Sequence, residues 1–385
     1  MNARASAPCA QRHAYVAMLT AQGNGTSAHD GSQGSFIQDA LSHGALRSIV
    51  DQLAVLARSL RRFELCRHDF VLLLGVAVAL DAAHRELLRA ESFILRPIAP
   101  LEPMLPHMDK LHAWLLTDYS SVVYLDADAV AVRAIDHLFD EPSLTMAAHA
   151  HDLVQGRCGI PSGERVNSGC MVLRPDRAAF ERLRRHAAAS PELWGLGPRA
   201  DKFVRATPEQ TGLACASWAH GSLHTLHCAT FYDIGLRFHR PNSRHHRGCI
   251  ARSGRSKDEC DAAAKRAAGC LWPQVRRNAS VIHFKGKLKP WKHTLEQCLP
   301  LRAGALRLAD QAGEVRALAP TDDLEWRQPG CVSADHGRRV TFGNGARIPY
   351  WCCKFDTLLK AHWWALRGNG SATQRYFGSG RSGFW

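Results

Sequence analysis

The sequence lacks any apolar run long enough to cross a membrane. A membrane-spanning helix needs roughly 20 consecutive apolar residues, and the longest run here, Phe70–Leu80, is about half that length and contains Gly75. Residues 1–14 also lack the apolar core of a secretory signal peptide, since charged residues such as Arg4 and Arg12 interrupt them. We therefore expect a buried strand within Phe70–Leu80 and no membrane anchor in this chain.

Recognisable nucleic-acid-binding patterns are also missing. Lys and Arg total 49 against 35 Asp and Glu, and the resulting net charge of +14 favours anionic partners. The basic residues are dispersed apart from clusters at 240–255 and 276–277, and neither an aromatic RNP-like segment nor a helix-turn-helix pattern accompanies them. Nucleotide-sugars, acidic glycans and phospholipid surfaces are the favoured anions, and we expect no nucleic-acid partner.

Cysteine, by contrast, is plentiful. The chain has 13 cysteines, and two groups of three stand out: Cys249, Cys260, Cys270, Cys331, Cys352 and Cys353. This usage is typical of an oxidising compartment, and glycosylation sequons beginning at Asn24, Asn278 and Asn369 point the same way. The sequence favours a secretory (Golgi) lumen, with the cytoplasm as the alternative.

Apolar strand-like and amphipathic helix-like segments alternate along the chain. Strands are predicted at 14–19, 70–74, 93–95, 122–125, 144–148 and 170–173, and helices at 36–61, 81–90, 108–119 and 176–189. This alternation predicts an α/β fold, a mostly parallel mixed sheet with helices on both faces. Ligands of such sheets bind beyond the carboxyl ends of the strands.

The segment Val122-Val-Tyr-Leu-Asp-Ala-Asp128 ends an apolar strand with two carboxylates at positions i and i+2. Alternate residues of a strand share one face, so both side chains point the same way. Such oxygen ligands suit Mg²⁺ or Mn²⁺, which also bind phosphate oxygens. The pattern predicts a metal site for a diphosphate substrate, and the alternative is a turn or helix cap after the strand.

Five further motifs flank this pair in a fixed order. They are Lys110-Leu-His-Ala-Trp114, Ile135-Asp-His-Leu-Phe139, Val166-Asn-Ser-Gly169, Pro208-Glu-Gln210 and His283-Phe-Lys-Gly-Lys-Leu-Lys-Pro-Trp291. With Asp126-Ala-Asp128, the set resembles glycosyltransferase family eight, which includes glycogenin, galactinol synthase and glucuronyltransferases. The resemblance covers residues 12–295 and implies a single Rossmann-like nucleotide-sugar-binding domain of the GT-A type.

The resemblance also implies a metal site and a nucleotide site. Asp126, Asp128 and His283 would bind Mn²⁺, or Mg²⁺ in its place, and Asp126 would also touch the ribose. Gly286 and Lys289 would hold the diphosphate, glycine by letting the backbone come close and lysine as a point charge. The end of the first strand, at Leu19 and Thr20, would hold the uracil and ribose.

The sugar end of the donor site follows from the same resemblance. Lys110 would lie beside the donor sugar or its β-phosphate. Asn167 and Ser168 would bind sugar hydroxyls, with a plain turn as their alternative role. Gln210 would lie under the anomeric carbon, and Glu209 would contact the sugar.

The chain departs from the family pattern at this point. The usual Asp-Gln-Gly appears as Glu209-Gln210-Thr211, so the carboxylate is one methylene longer and a permissive glycine is lost. The implied activity is transfer of a hexosyl or related group from a UDP-sugar to a glycan, polyol or glycoprotein hydroxyl, with retention of anomeric configuration. The alternatives are a catalytically impaired sugar- or nucleotide-binding relative and a general polyanion binder.

Three segments fall outside these motifs. Residues 22–35 are rich in Gly and Ser, and they fit either a nucleotide-contacting loop or a flexible surface insertion. The insertion at 240–272 carries Cys and His in no standard zinc-finger spacing, which favours a disulfide-stapled loop over a zinc site. Residues 296–385 are predicted to form a C-terminal extension whose role the sequence does not reveal.

Overall fold

The computed structural model describes residues 11–20, 43–101, 106–148, 158, 166–196, 200, 208–226, 230–233, 279–284, 339–341 and 347–349. The chain divides into two compact units, residues 1–270 with 278–283, and residues 271–277 with 284–385. The predicted domain boundary near residue 295 and the insertion at 240–272 lie outside the described residues. In the second unit, β11 (Arg339–Thr341) and β12 (Arg347–Pro349) form an antiparallel pair.

The first unit is built on a seven-stranded mixed sheet. Its strands are β1 (His13–Leu19), β2 (Asp69–Gly75), β3 (Phe93–Ile98), β4 (Ser121–Leu125), β6 (Thr145–Ala148), β7 (Val166–Leu173) and β8 (His224–Leu226), in the spatial order β3-β2-β1-β4-β7-β6-β8. The first four strands in that order pair in parallel, β7 is antiparallel to both β4 and β6, and β6 and β8 are parallel. A smaller sheet has the order β5-β10-β9, formed by β5 (Ala129–Ala131), β9 (Phe231–Asp233) and β10 (Val281–His283).

Helices cover both faces of the large sheet. On one face pack α1 (His43–Phe63) and α2 (Ala82–Ala90), and on the other a 3₁₀ helix (Pro106–Leu115), α3 (Arg177–Ala189) and α4 (Pro208–Ala219). Alternate residues of one strand serve the two layers: Val122 of β4 lies in one core cluster and Val123 in the other. Strands buried on both faces read as continuous apolar runs, which confirms the predicted fold class.

Individual side chains explain where two helices begin and how far one edge strand extends. Asp81 and Asp176, predicted as first helical residues, are N-caps whose carboxylates accept backbone N–H bonds of α2 and α3. The predicted strand at 93–95 continues to Ile98 and includes Pro97, which an edge strand tolerates. None of the helices in the described ranges has both the length and the apolar character that crossing a membrane requires.

The predicted helix at 108–119 differs in type and extent. It is a 3₁₀ helix that ends at Leu115, because the chain then turns back towards the sheet. Tyr119 N–H donates to the Leu116 carbonyl at 3.0 Å, and Ser120 N–H donates to the Arg12 carbonyl at 2.9 Å. These bonds lead the chain directly into β4.

The predicted strand at 170–173 begins earlier, at Val166. Its pairing with β6 jumps from Met146 opposite Met171 to Ala147 opposite Asn167, so residues 168–170 have no partner on β6. A bulge of this kind redirects side chains locally. Asn167 and Ser168 therefore lie inside a strand, at its irregularity, and not at its entrance.

Candidate active site

The two aspartates lie beyond the carboxyl end of β4, as the sequence predicts. Asp126 N–H donates to the Gly169 carbonyl at 2.9 Å, and Ala129 N–H donates to the Asp126 carbonyl at 3.0 Å. The chain thus turns at the Asp-x-Asp and continues as β5. This places both carboxylates in the region where ligands of α/β sheets bind.

His283 reaches the aspartates through strand pairing. β10 runs antiparallel to β5, with His283 opposite Ala129, the residue that follows Asp128. The His283 Nε2 atom lies 3.0 Å from Asp128 Oδ1 and 4.0 Å from Asp126 Oδ2. The ligand atoms of these three residues all lie within 4.8 Å of one another, so the structure brings the three predicted metal ligands together.

Gly169 leaves the space between these ligands open. A Cβ atom at this position would lie 3.0 Å from Asp126 Oδ2, 3.1 Å from His283 Cε1 and 2.9 Å from Asn167 Oδ1. Two carboxylates and one imidazole are a donor set that Mn²⁺ accepts. The donor chemistry and the cradle kept clear by Gly169 therefore fit a divalent cation.

Lys110 connects Asp126, one of the three predicted metal ligands, to the start of α4. Its Nζ atom is buried and lies 3.0 Å from Asp126 Oδ1 and 3.2 Å from Glu209 Oε1. It also donates to Ser168 Oγ at 3.2 Å, and the Ser168 hydroxyl donates to Glu209 Oε1 at 2.6 Å. Three predicted sugar-site residues thus form one hydrogen-bonded group.

The electrostatics of this group follow from its burial. Burial alone would lower the pKa of Lys110, but the carboxylates of Asp126 and Glu209 outweigh it and raise that pKa. Burial would likewise raise the pKa of Glu209, but Lys110 and the Ser168 hydroxyl hold it well below its usual range. Both groups are therefore charged at neutral pH.

One carboxylate oxygen of Asp126 is bound by protein side chains, and the other faces the cradle. Its Oδ1 accepts from the Tyr124 hydroxyl at 3.1 Å as well as from Lys110, while its Oδ2 faces the His283 ring. Sequence reasoning missed Tyr124 and Gly169 as parts of the site. Tyr124 could have been identified from the sequence, because it lies two residues before Asp126 and therefore on the same face of the strand.

Gln210 and Glu209 lie in the first turn of α4 and are both buried. The Glu209 Oε2 and Gln210 Nε2 atoms are closed to solvent, and neither has a hydrogen-bond partner among the described residues. Thr211 Oγ1 is in the same state. Buried polar atoms without partners are rare and call for a ligand or an ordered water.

α4 packs against Trp194, which lies at the end of a short 3₁₀ helix (Pro191–Trp194). A Cβ atom at Gly212 would overlap Cδ2 of Trp194, so the helix backbone rests directly on the indole. Cys215, on the same helix, forms a disulfide with Cys158. These contacts fix the helix that carries Glu209 and Gln210.

The remaining predicted site residues divide into two groups. Leu19 and Thr20 lie at the carboxyl end of β1, where Leu19 pairs with Leu74 and Thr20 packs against Gly75. Asn167 is buried, and its Oδ1 accepts the Gly169 N–H at 2.7 Å. Gly286 and Lys289, together with the loop at 22–35, lie outside the described residues.

A second cluster of metal-type residues has a different explanation. Cys66, His68 and Asp136 also lie within ligand distance of one another, but Cys66 is disulfide-bonded. Asp136 accepts from the Tyr15 hydroxyl at 2.6 Å and from Leu65 N–H at 2.6 Å. The aspartate of the Asp-x-Leu-Phe motif therefore holds the chain before β2 against β1.

Comparison with known proteins gives relatives but no matching family model. The chain is 25% identical to human glycogenin-2 over 255 residues, covering 62% of this chain and 40% of the relative. It is 26% identical to galactinol synthase 1 of Ajuga reptans over 163 residues, 33% of this chain and 48% of the relative. It is 32% identical to UDP-glucuronate:xylan alpha-glucuronosyltransferase 1 of Arabidopsis thaliana over 77 residues, 20% of this chain and 10% of the relative.

The chain thus spans half or less of the length of these curated relatives. Among solved structures, the galactosyltransferase LgtC with donor and acceptor sugar analogues aligns with a TM-score of 0.41 at 14% identity, covering 72% of this chain and 89% of that one. The glycosyltransferase GlyE of Streptococcus pneumoniae aligns with a TM-score of 0.41 at 11% identity, covering 73% and 56%.

The fold and site define an α/β protein with an Asp-x-Asp and histidine cluster beyond the carboxyl end of a central strand. The chain is similar to curated glycogenin, galactinol synthase and glucuronosyltransferase sequences, the proteins that its motifs resemble.

Proposed function

We propose that the chain transfers a hexosyl or related sugar from a UDP-sugar to a hydroxyl acceptor, with retention of configuration and with Mn²⁺ or Mg²⁺ as cofactor. The observation that carries this proposal is the convergence of Asp126, Asp128 and His283 on one cradle. Through Asp126 the cradle connects to the buried pair of Lys110 and Glu209. A metal-type site next to buried polar side chains suits a diphosphate-linked sugar.

Asp126 Oδ2, an oxygen of Asp128 and His283 Nε2 would hold the cation. When bound, the ion would supply a Lewis acid that neutralises charge on the departing diphosphate. Tyr124 and Lys110 fix Asp126 by its other oxygen. Leu19 and Thr20 would border the uracil and ribose, and Gly286 and Lys289 would hold the diphosphate.

Residues next to the cradle would bind the donor sugar and stabilise charge on it. Lys110, Ser168 and Glu209 form a hydrogen-bonded group beside the cradle. Asn167 stiffens the adjoining bulge through its bond to Gly169. The Gln210 carboxamide, an uncharged and weakly nucleophilic group, would lie against the anomeric carbon and steady the positive charge that develops there.

Retention then follows from attack on the face that the phosphate leaves. The bond between the anomeric carbon and the β-phosphate oxygen breaks, and its electron pair goes to the phosphate. The acceptor hydroxyl oxygen forms the new bond on the same face, and its proton passes to a phosphate oxygen. Glu209 has no nucleophilic role in this proposal; Lys110 and Ser168 bind its Oε1 atom and hold the side chain in place.

One observation favours a second candidate, a relative that binds nucleotide-sugar without turnover. Thr211 replaces the family glycine, and its hydroxyl is buried with no hydrogen-bond partner among the described residues. A site altered in this way could retain the metal and the nucleotide while misplacing the sugar. The acceptor, whether glycan, polyol or glycoprotein, is part of the first proposal only.

Calorimetric titration of UDP, with Mn²⁺ and with chelator, tests the proposed site. We expect Mn²⁺-dependent UDP binding that Asp128→Asn removes, together with all turnover, while its circular dichroism spectrum and melting temperature stay near those of the wild type. Asp118→Asn is the matched control, because Asp118 is an exposed partner of Arg96 away from the cradle. Unchanged activity in Asp128→Asn would refute the metal assignment.

A further inference from the structure

The Asp126 carboxylate is held by one of its oxygens, and two different side chains hold it. Within the described ranges, Asp126 Oδ1 accepts a hydrogen bond from the Tyr124 hydroxyl at 3.1 Å and contacts Lys110 Nζ at 3.0 Å. A carboxylate offers about four lone-pair sites, two on each oxygen. The two donors therefore occupy both sites of Oδ1, while Oδ2 faces the cradle, 4.0 Å from His283 Nε2.

Tyr124 is placed by the sheet itself. It lies on β4, where it is paired with Val16 of β1 on one side and with Met171 of β7 on the other, and its side chain is buried. Lys110 Nζ lies 5.2 Å from the centroid of the Tyr124 ring, which is within the range of a cation–π contact. The hydroxyl and the ring of this one side chain thus contact both Asp126 and the lysine that shares Oδ1.

A carboxylate held in this way can bind a cation through its other oxygen only. Ca²⁺ takes about 6–8 oxygen ligands and often reaches that number through bidentate carboxylates. Mg²⁺ demands octahedral geometry, and Mn²⁺ also accepts octahedral sites. Binding by Asp126 through one oxygen therefore disfavours Ca²⁺ more than Mn²⁺ or Mg²⁺. His283 acts in the same direction, because Ca²⁺ prefers oxygen to an imidazole nitrogen.

We propose that Tyr124 is a positioning residue that restricts Asp126 to binding through one oxygen and thereby makes the cradle select Mn²⁺ or Mg²⁺ over Ca²⁺. This inference rests on the proposed function, because it requires the cation to lie among Asp126, Asp128 and His283. The Tyr124 hydroxyl acts through its hydrogen bond to Asp126. Lys110 and His283 are present whether or not that hydroxyl is, so removing the hydroxyl isolates its contribution.

Tyr124→Phe tests the proposal, since it removes the hydroxyl and keeps the ring. Lys110 still contacts Oδ1 in this variant, so we expect it to fold, which circular dichroism checks. Mn²⁺ binding in the presence of UDP is followed by electron paramagnetic resonance, with Ca²⁺ or Mg²⁺ titrated in as competitor. We expect wild-type protein to bind Mn²⁺ about 10-fold or more tightly than Ca²⁺. Tyr124→Phe should lower this ratio by about 10-fold, as partners of metal ligands typically affect metal binding on this scale, and should leave the ratio of Mn²⁺ to Mg²⁺ affinity unchanged.

Tyr119→Phe is the matched control. The Tyr119 hydroxyl also donates to a carboxylate, Asp69 Oδ2, at 2.9 Å. Asp69 is the first residue of β2, and Tyr119 lies just before β4, so this bond lies at the opposite end of the strands from the cradle. We expect all three metal affinities of Tyr119→Phe to match those of the wild type.

The outcomes separate this inference from the proposed function. An unchanged ratio of Mn²⁺ to Ca²⁺ affinity in folded Tyr124→Phe would overturn the inference and leave the proposed function in place. Equal losses of affinity for all three ions would also overturn it, because a general loosening of the site weakens every ion alike. Absence of any Mn²⁺ binding by the wild type with UDP would overturn both. If Tyr124→Phe does not fold, the wild-type competition decides, and Ca²⁺ binding as tight as Mn²⁺ binding would overturn the inference.

Discussion

At the scale of single residues, Lys110 holds the site together. Its ammonium group contacts two carboxylates, the buried one of Glu209 and the partly buried one of Asp126. A buried ion pair is weak support for stability as such, but removing one partner leaves an uncompensated buried charge. Lys110 is therefore expected to matter for folding as well as for catalysis.

Lys110→Met tests this expectation. We expect a loss of about 3–5 kcal/mol in the free energy of unfolding at pH 7, because the buried carboxylate of Glu209 loses its cation. Urea denaturation measures the loss. The double variant Lys110→Met with Glu209→Gln should recover part of it, and full additivity of the two single losses would contradict the coupling.

The pH dependence of stability follows from the lowered pKa of Glu209. This pKa is about 2 in the folded chain, against about 4.3 in the unfolded chain. The stabilising contribution is present above pH 4.3 and is lost as the pH falls towards 2. Without Lys110, burial raises the pKa of Glu209 instead, so the stability difference between wild type and Lys110→Met should narrow on acidification. Urea denaturation at pH 7 and pH 3.5 measures this, and a difference that widened at pH 3.5 would contradict the charge assignment.

Gly169 provides a test of the cradle itself. A methyl group at this position would lie about 3 Å from both Asp126 Oδ2 and His283 Cε1, tighter than ordinary van der Waals contact. We expect Gly169→Ala to weaken Mn²⁺ binding about 10-fold or more, measured by titration followed by electron paramagnetic resonance. Gly221→Ala is the control, since a Cβ atom there meets nothing within 4 Å. Equal Mn²⁺ affinity in both variants would mean that the cation does not lie in this cradle.

The sequence predicted the site residues unevenly for a physical reason. Asp126 and Asp128 follow directly from strand alternation, and His283 was accessible only through its motif, because the β5–β10 pairing that places it is non-local. Gly169 gave no signal beyond a turn. Its importance depends on side chains from β4 and β10 that converge on it.

At the scale of elements, the long central strands and the amphipathic helices were predictable, and the short ones were not. The strands β5, β8, β9 and β10 have three residues each, too few to show any periodicity. α4 was missed because four consecutive residues, Leu213–Ala216, are all buried, so the helix shows no apolar stripe.

The packing of α4 against Trp194 can be tested by Gly212→Ala. The added methyl group would overlap the indole, so we expect more than about 2 kcal/mol of destabilisation from overpacking. Gly221→Ala should cost about 1 kcal/mol, because its backbone has φ +63° without any steric contact. Urea denaturation distinguishes the two, and wild-type stability in Gly212→Ala would contradict the close approach of helix and indole.

At the scale of the whole molecule, the high cysteine content has a partial explanation. Cys158 and Cys215 are bonded across 57 residues, and Cys170 is buried with a free thiol. Disulfides persist in oxidising compartments; the secretory lumen, with the cytoplasm as its alternative, stays a prediction.

This disulfide should contribute measurably to stability. A cross-link across this separation in sequence constrains the unfolded chain by about 4 kcal/mol on the loop-entropy account. We expect the double variant Cys158→Ala with Cys215→Ala to lose a large part of that amount in urea denaturation. Cys170→Ala is the single-cysteine control, and equal losses in both would indicate a packing effect rather than a cross-link.

The most direct test of metal-dependent glycosyl transfer is release of UDP from a panel of UDP-sugars, with Mn²⁺ and with chelator, without added acceptor. The panel comprises the UDP derivatives of glucose, galactose, glucuronic acid, xylose and N-acetylglucosamine. We expect slow, Mn²⁺-dependent hydrolysis of at least one donor, abolished by chelator and by Asp128→Asn. UDP release that is indifferent to chelator, or none from any donor together with no Mn²⁺-dependent UDP binding, would contradict it.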